Sequence, residues 1–255
     1  MDYLLHHRII VWTEMAGQLL RESLKRNLLV EEKLNARDLV TEMDRKIESF
    51  LVNKIRENYP NHRVIGEEGT GESIQDTKGI LWVIDPIDGT MNFVKQKNHF
   101  GIMIGIFEDG LPLAGYIFDV MAEDLYYGII GDGAYVNHIP LKPYNLSGLN
   151  QSLISVNPMN FSESSDKLQK ISDTSLGIRY YGSAALEIIG VLRGELGAYV
   201  STGLHPWDFA AGYAICQALG FTVTNFEGKS LDILERSTAV FARPQIHQEI
   251  LSLLN

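Results

Sequence analysis

The chain has 255 residues, 45% of them apolar, and 22 Lys and Arg against 32 Asp and Glu give a formal net charge of −10. That length fills one large domain or two smaller ones, and the acidic balance argues against non-specific nucleic-acid binding, which relies on Lys and Arg at phosphates. No run approaches the roughly 20 apolar residues of a membrane helix, and Met1-Asp2-Tyr3 lacks the basic-then-apolar pattern of a secretory leader, so a cytoplasmic protein away from membranes is expected.

Apolar residues recur at helical spacing from Leu5 to about Leu29, through Ile9, Trp12, Met15, Ala16, Leu19 and Leu20, and predict an amphipathic helix. A second helix is expected from about Asp44 to Asn58, carried by Ile47, Phe50, Leu51 and Ile55 and stopped by Tyr59-Pro60-Asn61. Val64-Ile65 reads as a short strand ending at Gly66, and Leu81-Trp82-Val83-Ile84 as a buried one. Further strands near Phe100 to Phe107, Leu113 to Phe118 and Leu125 to Ile130 are punctuated by Gly110, Gly131 and Gly133. Their close spacing suggests an antiparallel sheet.

Beyond Lys142-Pro143 the pattern becomes an alternation. Strands are expected at Leu153 to Val156, Ile178 to Tyr181 and Ala198 to Ser201, and helices at Glu163 to Ser172, Ala184 to Arg193 and Phe209 to Leu219. A boundary near residue 145 would divide an α+β half (1–145), with the antiparallel sheet and most candidate ligands, from an α/β half (146–255). The one cysteine, Cys216, lies in an apolar helical run; it cannot form an internal disulfide, fits a reducing compartment, and reads as core rather than nucleophile.

The densest signal is Trp82-Val83-Ile84-Asp85-Pro86-Ile87-Asp88-Gly89-Thr90-Met91-Asn92-Phe93. Two carboxylates lie three residues apart after a buried strand, and Pro86 stiffens the turn expected between them. Such a turn can aim both acids into one cavity. Gly89 permits close backbone approach, and a helix starting there would offer unpaired N–H groups to an anion. Paired acids beside an anion cradle suit metal-assisted phosphoryl transfer, although the same residue types also make ordinary turns.

Val64-Ile65-Gly66-Glu67-Glu68-Gly69 places adjacent glutamates at a strand end. Neighbouring extended side chains point to opposite faces, so Glu67 is read as the ligand and Glu68 as its support. The alternative is a solvated pair. In Leu204-His205-Pro206-Trp207-Asp208-Phe209-Ala210-Ala211-Gly212, Asp208 opens the apolar helix and is a candidate cap as well as a ligand, while His205 and Trp207 read as structural. The segment Lys33-Leu34-Asn35-Ala36-Arg37-Asp38-Leu39-Val40-Thr41-Glu42-Met43-Asp44 leads into the second helix, with Asp44, Thr41 and Asp38 competing to cap it.

Together and in this order, these segments resemble the inositol monophosphatase family, within the wider lithium-sensitive phosphatases. The resemblance covers nearly the whole chain, and the Asp-Pro-Ile-Asp-Gly-Thr and Trp-Asp-x-Ala-Ala-Gly blocks carry most of its specificity. It implies a layered αβαβα sandwich of the sugar-phosphatase type, in the α+β / α/β class, assembled as a homodimer. It implies two or three Mg²⁺ ions per subunit: one on Glu67, Asp85 and the Ile87 carbonyl, a second on Asp85, Asp88 and Asp208, and a weaker third near Glu67. Asp44 and Thr90 match the pair at the nucleophilic water, with Glu67 beside them. The backbone around Gly89 and Thr90 matches a phosphate cradle, and Gly182-Ser183-Ala184 a loop beside the sugar ring. Asp88 and Asp208 also border the substrate, and Glu68 and Lys33 are supporting residues.

The implied chemistry agrees with the residue types. Mg²⁺ prefers hard oxygen ligands, and an in-line transfer of a phosphoryl group to water needs no covalent enzyme intermediate. The partner is a small phosphorylated molecule. Inositol-specific members carry a glutamate seven residues before the last aspartate, where it binds ring hydroxyls; here that position is Ser201. A serine there is shorter and uncharged and leaves room for a larger or different substrate, while inositol 1-phosphate stays first among the substrates that the resemblance implies. NADP (at its 2′-phosphate), fructose 1,6-bisphosphate and a nucleotide 3′-phosphate follow as alternatives. A non-catalytic metal- or phosphate-binding protein should have lost at least one of Glu67, Asp85, Asp88, Thr90 or Asp208, and all five are present.

Overall fold

The computed structural model describes residues 2–32, 39–71, 74–143, 147–157 and 161–255, with 161–165 described by backbone alone. In chain order the elements are α1 (Tyr3–Ser23), β1 (Val30–Glu32), β2 (Leu39–Thr41), α2 (Glu42–Asn58), β3 (Arg63–Gly66), β4 (Ile80–Asp88), α3 (Thr90–Lys95), β5 (Gly101–Glu108), β6 (Leu111–Asp119), β7 (Asp124–Ile129), β8 (Gly133–Val136), β9 (Ile139–Pro140), β10 (Leu153–Val156), α4 (Phe161–Thr174), β11 (Gly177–Arg179), α5 (Ala184–Arg193), β12 (Ala198–Leu204), α6 (Pro206–Ala218), β13 (Thr222–Thr224), β14 (Ser237–Ala242) and α7 (Pro244–Leu254). Among the described residues no helix is long and apolar enough to cross a membrane.

Strands β3 to β9 form a seven-stranded sheet in sequence order, and β11-β10-β12-β14-β13 form a second sheet. The first is antiparallel except where β3 runs parallel to β4; the second is mixed. Strand alternation sorts the side chains into layers. Trp82 and Ile84 of β4, with Ile102, Ile104 and Ile106 of β5, face α1 and α2. Leu81, Val83, Met103 and Phe107 point the other way, to α5, α6 and the inner face of the second sheet. Ile154, Val156, Val200 and Val240 meet α4 and α7 on the outer face. Both sheets are therefore covered on both faces, which gives five layers in the order αβαβα, as the family resemblance implies.

The middle layer is unusually close to the first sheet. Gly105, Gly115 and Gly128 pair across β5, β6 and β7 in one row. Helix α6 lies in the trough they leave. A Cβ on Gly115 would stand 2.1 Å from the Ala211 carbonyl oxygen, and one on Gly128 would stand 2.7 Å from the Ile215 Cα. Ala210 and Ala211 supply small side chains on the helix side. This approach sets the height of α6 above the sheet and so the position of its first turn.

Several boundaries differ from the expectations. The first helix ends at Ser23 rather than near Leu29: the backbone turns back through Leu24 and Arg26, and Leu29 is exposed, so no buried contact extends the helix. The stiff turn expected at Asp85-Pro86-Ile87-Asp88 is instead the end of a nine-residue strand. Its register with β5 shifts between Asp85 and Asp88. Pro86 has no N–H to give a ladder, and an irregularity absorbs that deficit without ending the strand. Strands β1, β2, β8, β9, β13 and β14 and helix α7 lie outside the expected elements. The new strands β1, β2, β8, β9 and β13 are short, and the others follow the last helix that the alternation reached.

Replacing Gly115 with Ala drives a methyl group into the backbone carbonyl of Ala211, which cannot swing aside. The expected loss is about 1–3 kcal/mol of stability, read from the midpoint of urea unfolding. A G115A protein that unfolds at the wild-type midpoint would contradict the close packing of α6.

Candidate active site

The site lies where β4 ends and the helices α2, α3, α5 and α6 begin. Asp85 and Asp88 flank the irregular stretch at the end of β4, and both are buried. The Ile87 N–H donates to Asp85 Oδ1 at 3.0 Å, so the acid caps its own bend. The register shift leaves Pro86 and Ile87 without ladder partners on β5, and the Ile87 carbonyl accepts from Thr90 Oγ1 at 3.0 Å. Asp208 comes from the other half of the chain, in the first turn of α6, where its Oδ2 accepts the N–H of His205 at 2.8 Å. It is the third helical residue reaching back to the cap, not the cap itself, and His205 stacks on Trp207 at 4.9 Å. Carboxylate oxygens of Asp85, Asp88 and Asp208 all lie within 4.8 Å of one another.

These acids repel. Burial pushes Asp85 well above the ordinary carboxylate range, and Glu67, Asp88 and Asp208 push it further. Burial and then Asp88 do the same for Asp208, against the His205 N–H. Asp88 is raised by burial but opposed by three donors, and reaches about 6. Those donors come from the start of α5: Ser183 Oγ and the Ala185 N–H (2.8 Å) on Oδ2, and the Ala184 N–H (3.1 Å) on Oδ1. Ser183 also caps α5 by accepting from the Leu186 N–H. Among the described residues no Lys or Arg forms an ion pair with any of the three aspartates. Desolvated carboxylates without a cation are unfavourable. The group that relieves them is a hard divalent cation, and oxygen donors at this spacing fit Mg²⁺.

Asp44 opens α2 and serves two partners. Its Oδ2 accepts the Thr41 N–H at 2.8 Å and Thr41 Oγ1 at 2.6 Å, while Thr41 caps the helix by accepting from Met43 at 3.1 Å. Its Oδ1 faces Thr90 Oγ1 at 3.1 Å. The single Thr90 proton is thus shared between Asp44 and the Ile87 carbonyl. Burial raises the Asp44 carboxyl despite these donors. Thr90 begins α3, after Gly89 in a left-handed conformation (φ 87°). A Cβ on Gly89 would come within 3.1 Å of Ser183 and 3.2 Å of the His99 carbonyl, so glycine serves both the torsion and the close approach. Gly182, at φ 75°, turns the chain into Ser183 and Ala184.

Glu67 and Glu68 do not alternate on a strand, because β3 ends at Gly66. They lie in a turn held by Glu48, a fully buried acid of α2. Glu48 accepts the N–H groups of Glu68 (2.7 Å) and Thr70 (2.8 Å) and the Thr70 hydroxyl (2.6 Å). That turn brings Glu67 close enough to Asp85 to share a hydrogen bond with its carboxyl. Glu48 is not among the residues that motif and spacing single out. Its signal was an acid on the buried stripe of Met43, Ile47, Leu51 and Ile55.

Ser201 is fully buried, 0% exposed, and its Oγ accepts the Gly203 N–H at 3.4 Å. On β12 it shares a face with Tyr199 before the register shifts, and Tyr199, hydrogen-bonded to it, lies within electrostatic reach of Asp88 and Asp208. Lys33 lies outside the described residues.

A five-layer α/β fold that gathers hard-oxygen acids beside a Thr–Asp pair and helix N-termini defines a hydrolase of the sugar-phosphatase class. The chain belongs to the inositol monophosphatase family, whose model matches residues 7–255; this is a family of phosphoric monoester hydrolases, and this protein is one. Inositol-1-monophosphatase of Bacillus subtilis (strain 168) is 39% identical over 243 residues, spanning 94% of this chain and 92% of its own. Inositol monophosphatase II of Staphylococcus aureus MSSA476 is 41% identical, with a TM-score of 0.89 over 98% of this chain and 92% of that one. An IMPase/NADP phosphatase complexed with Mg²⁺ and phosphate is 30% identical, with a TM-score of 0.90 over 99% and 95%.

The raised Asp88 carboxyl makes a prediction for the protein in chelator. The folded state keeps the Asp88 proton up to about pH 6, whereas the unfolded chain releases it near 4. Folding therefore takes up a proton between these values, and stability falls as pH rises through that window. Asp88→Asn cannot titrate. Relative to wild type it should gain about 2 kcal/mol between pH 4 and pH 7, measured by urea unfolding in EDTA. A difference that stays flat or narrows with pH would contradict the assignment.

Proposed function

We propose that the protein hydrolyses a small phosphate monoester with Mg²⁺, with inositol 1-phosphate as its first substrate. The observation that carries this reading is the convergence of Asp85, Asp88 and Asp208 within 4.8 Å, beside the Thr90–Asp44 pair. The ions would be held by Glu67, Asp85 and the Ile87 carbonyl on one side and by Asp85, Asp88 and Asp208 on the other. Such ions supply positive charge to the transferring phosphoryl oxygens and lower the pKa of water.

The remaining work belongs to side chains and backbone. Thr90 Oγ1 donates a hydrogen bond to Asp44 or to the Ile87 carbonyl, which leaves its lone pairs to orient a water. Asp44, with a raised carboxyl, takes the proton of that water through Thr90. N–H groups after Gly89, at the start of α3, face the phosphate oxygens. Gly182, Ser183 and Ala184 border the sugar side, and Asp88 and Asp208 border the phosphate.

The substrate range is a second part of the proposal. With Ser201 uncharged and buried, β12 presents no carboxylate at that position to grip ring hydroxyls. The NADP 2′-phosphate and other 2′-phosphates are therefore alternative substrates. A structure of SaIMPase-II bound to 2′AMP, 41% identical to this chain, supports that range. A homodimer, as the resemblance implies, and a reducing cytoplasm, which suits the free buried thiol of Cys216, complete the proposal.

The test is phosphate release by purified protein from inositol 1-phosphate, NADP, 2′-AMP and fructose 1,6-bisphosphate, each with Mg²⁺ and with chelator. Release from at least one, abolished by chelator, is the expected result; no release from any would remove the proposal. Asp208→Asn should lower turnover by at least about 100-fold, since it loses a ligand rather than a ligand's support. Ser201→Ala should leave the ranking of substrates unchanged, and a reordered ranking would put Ser201 back in the substrate site.

A further inference from the structure

The loop that delivers Ser183 to Asp88 is gripped by two buried side chains that the chemistry above does not use. Asn92, in α3, is 5% exposed, and Glu187, in α5, is 1% exposed. Asn92 Nδ2 donates to the Tyr181 carbonyl at 2.7 Å and the His99 carbonyl at 2.9 Å, with the Gly182 carbonyl at 3.5 Å. Glu187 Oε1 accepts the Tyr181 N–H at 2.6 Å. Both polar groups of the Tyr181 backbone are therefore tied, one to each half of the chain.

The consequence follows along the backbone. Immediately after the gripped residues come Ser183, Ala184 and Ala185, the three donors on Asp88. Asp88 and Asn92 stand on either side of Gly89 and Thr90, and both reach across to the same loop. The end of β4 and the start of α5 are thus stitched at two points, with the Gly89–Thr90 segment held between them. The grip is specific in chemistry: one side supplies an amide N–H pair for carbonyls, the other a carboxylate for an N–H. His99 adopts a left-handed backbone (φ 58°), which a non-glycine residue seldom takes, and its carbonyl is one of those Asn92 holds. Burial raises the Glu187 carboxyl, and hydrogen bonds from the Tyr181 N–H, the Ser155 hydroxyl and the Gly182 N–H oppose that rise, so two successive N–H groups of the loop are directed at this acid.

We infer that Asn92 and Glu187 are positioning residues that fix the α5 donors on Asp88 and thereby set the affinity of the site for its cation. The kinetic part of this inference rests on the phosphatase reading. The structural part does not, and the experiment separates the two.

Asn92→Ala and Glu187→Ala are compared with wild type by hydrogen exchange of the Ala184 and Ala185 amides, by calorimetric titration with Mg²⁺ alone, and by steady-state kinetics. The expected result is faster exchange at both amides and Mg²⁺ affinity lower by about 10- to 100-fold. The Mg²⁺ needed for half-maximal turnover should rise in parallel, with KM for the phosphate ester changing less than kcat. Glu187→Gln should recover most of the loss, because its amide oxygen can still accept the Tyr181 N–H. Unchanged exchange and unchanged Mg²⁺ affinity in both alanine variants would overturn the inference, as would a lower melting temperature with wild-type Mg²⁺ affinity. Should Asn92→Ala fail to fold, Glu187→Ala reads the same amides. If wild type has no turnover at all, exchange and Mg²⁺ titration still decide the positioning role, while the phosphatase reading fails separately.

Discussion

The position of α6 governs the rest of the site. An α-helix normally stands off a sheet by the length of the side chains between them, and a standoff of that kind would hold its first turn away from the end of β4. The aligned glycines of β5, β6 and β7 remove that layer, so the backbone of Ala211 meets Gly115 directly. Asp208, in the first turn of that helix, then reaches the two acids at the end of β4. The contact is steric and short-ranged, so it leaves little tolerance. It is also apolar, far in character from the chemistry it makes possible.

Bringing three carboxyl groups into one small volume works against folding. Burial and mutual repulsion raise Asp85 and Asp208 well above the usual carboxylate range, and hydrogen bonds from α5 moderate the rise at Asp88. The fold tolerates this because rigid neighbours enforce it. The end of β4 is buried on both sides, α6 is locked to the sheet, and the first turn of α5 points its N–H groups at one of the acids. An arrangement that is costly without a cation and relieved by one is what a metal-dependent hydrolase requires. The same logic accounts for the all-oxygen donor set, which suits a hard ion.

Around this centre lie polar groups that shape backbone rather than meet substrate. Glu48 holds the turn that carries Glu67, Thr41 holds Asp44, and Asn92 with Glu187 holds the loop ahead of α5. Each is buried, and Glu48, Asn92 and Glu187 make most of their bonds to backbone N–H or carbonyl groups. Glu67 and the Gly182-Ser183 segment lie in loops, outside the elements that carry the aspartates, and loops lack the internal ladders that give helices and strands their rigidity. Buried acids and amides supply that rigidity from the neighbouring helices.

The sequence by itself determined the parts that depend on local order. Helical periodicity placed α2 and α5, apolar runs placed β4 and the antiparallel strands, and the two acid-bearing blocks identified the family together with Asp85, Asp88, Asp208, Asp44 and Thr90. These are readable because torsional preference, side-chain period and motif spacing are short-range properties of the chain. Only the tertiary structure decided how Asp208 reaches acids some 120 residues earlier in the chain, by the close seat of α6 on the glycine row, that the end of β4 is an irregular strand rather than a turn, and that Ser201 is buried. It also revealed Glu48, Asn92 and Glu187, whose roles depend on which backbone groups lie opposite them. Such pairings arise from the packing of distant elements, and neither composition nor periodicity encodes which distant backbone atom a buried side chain will meet.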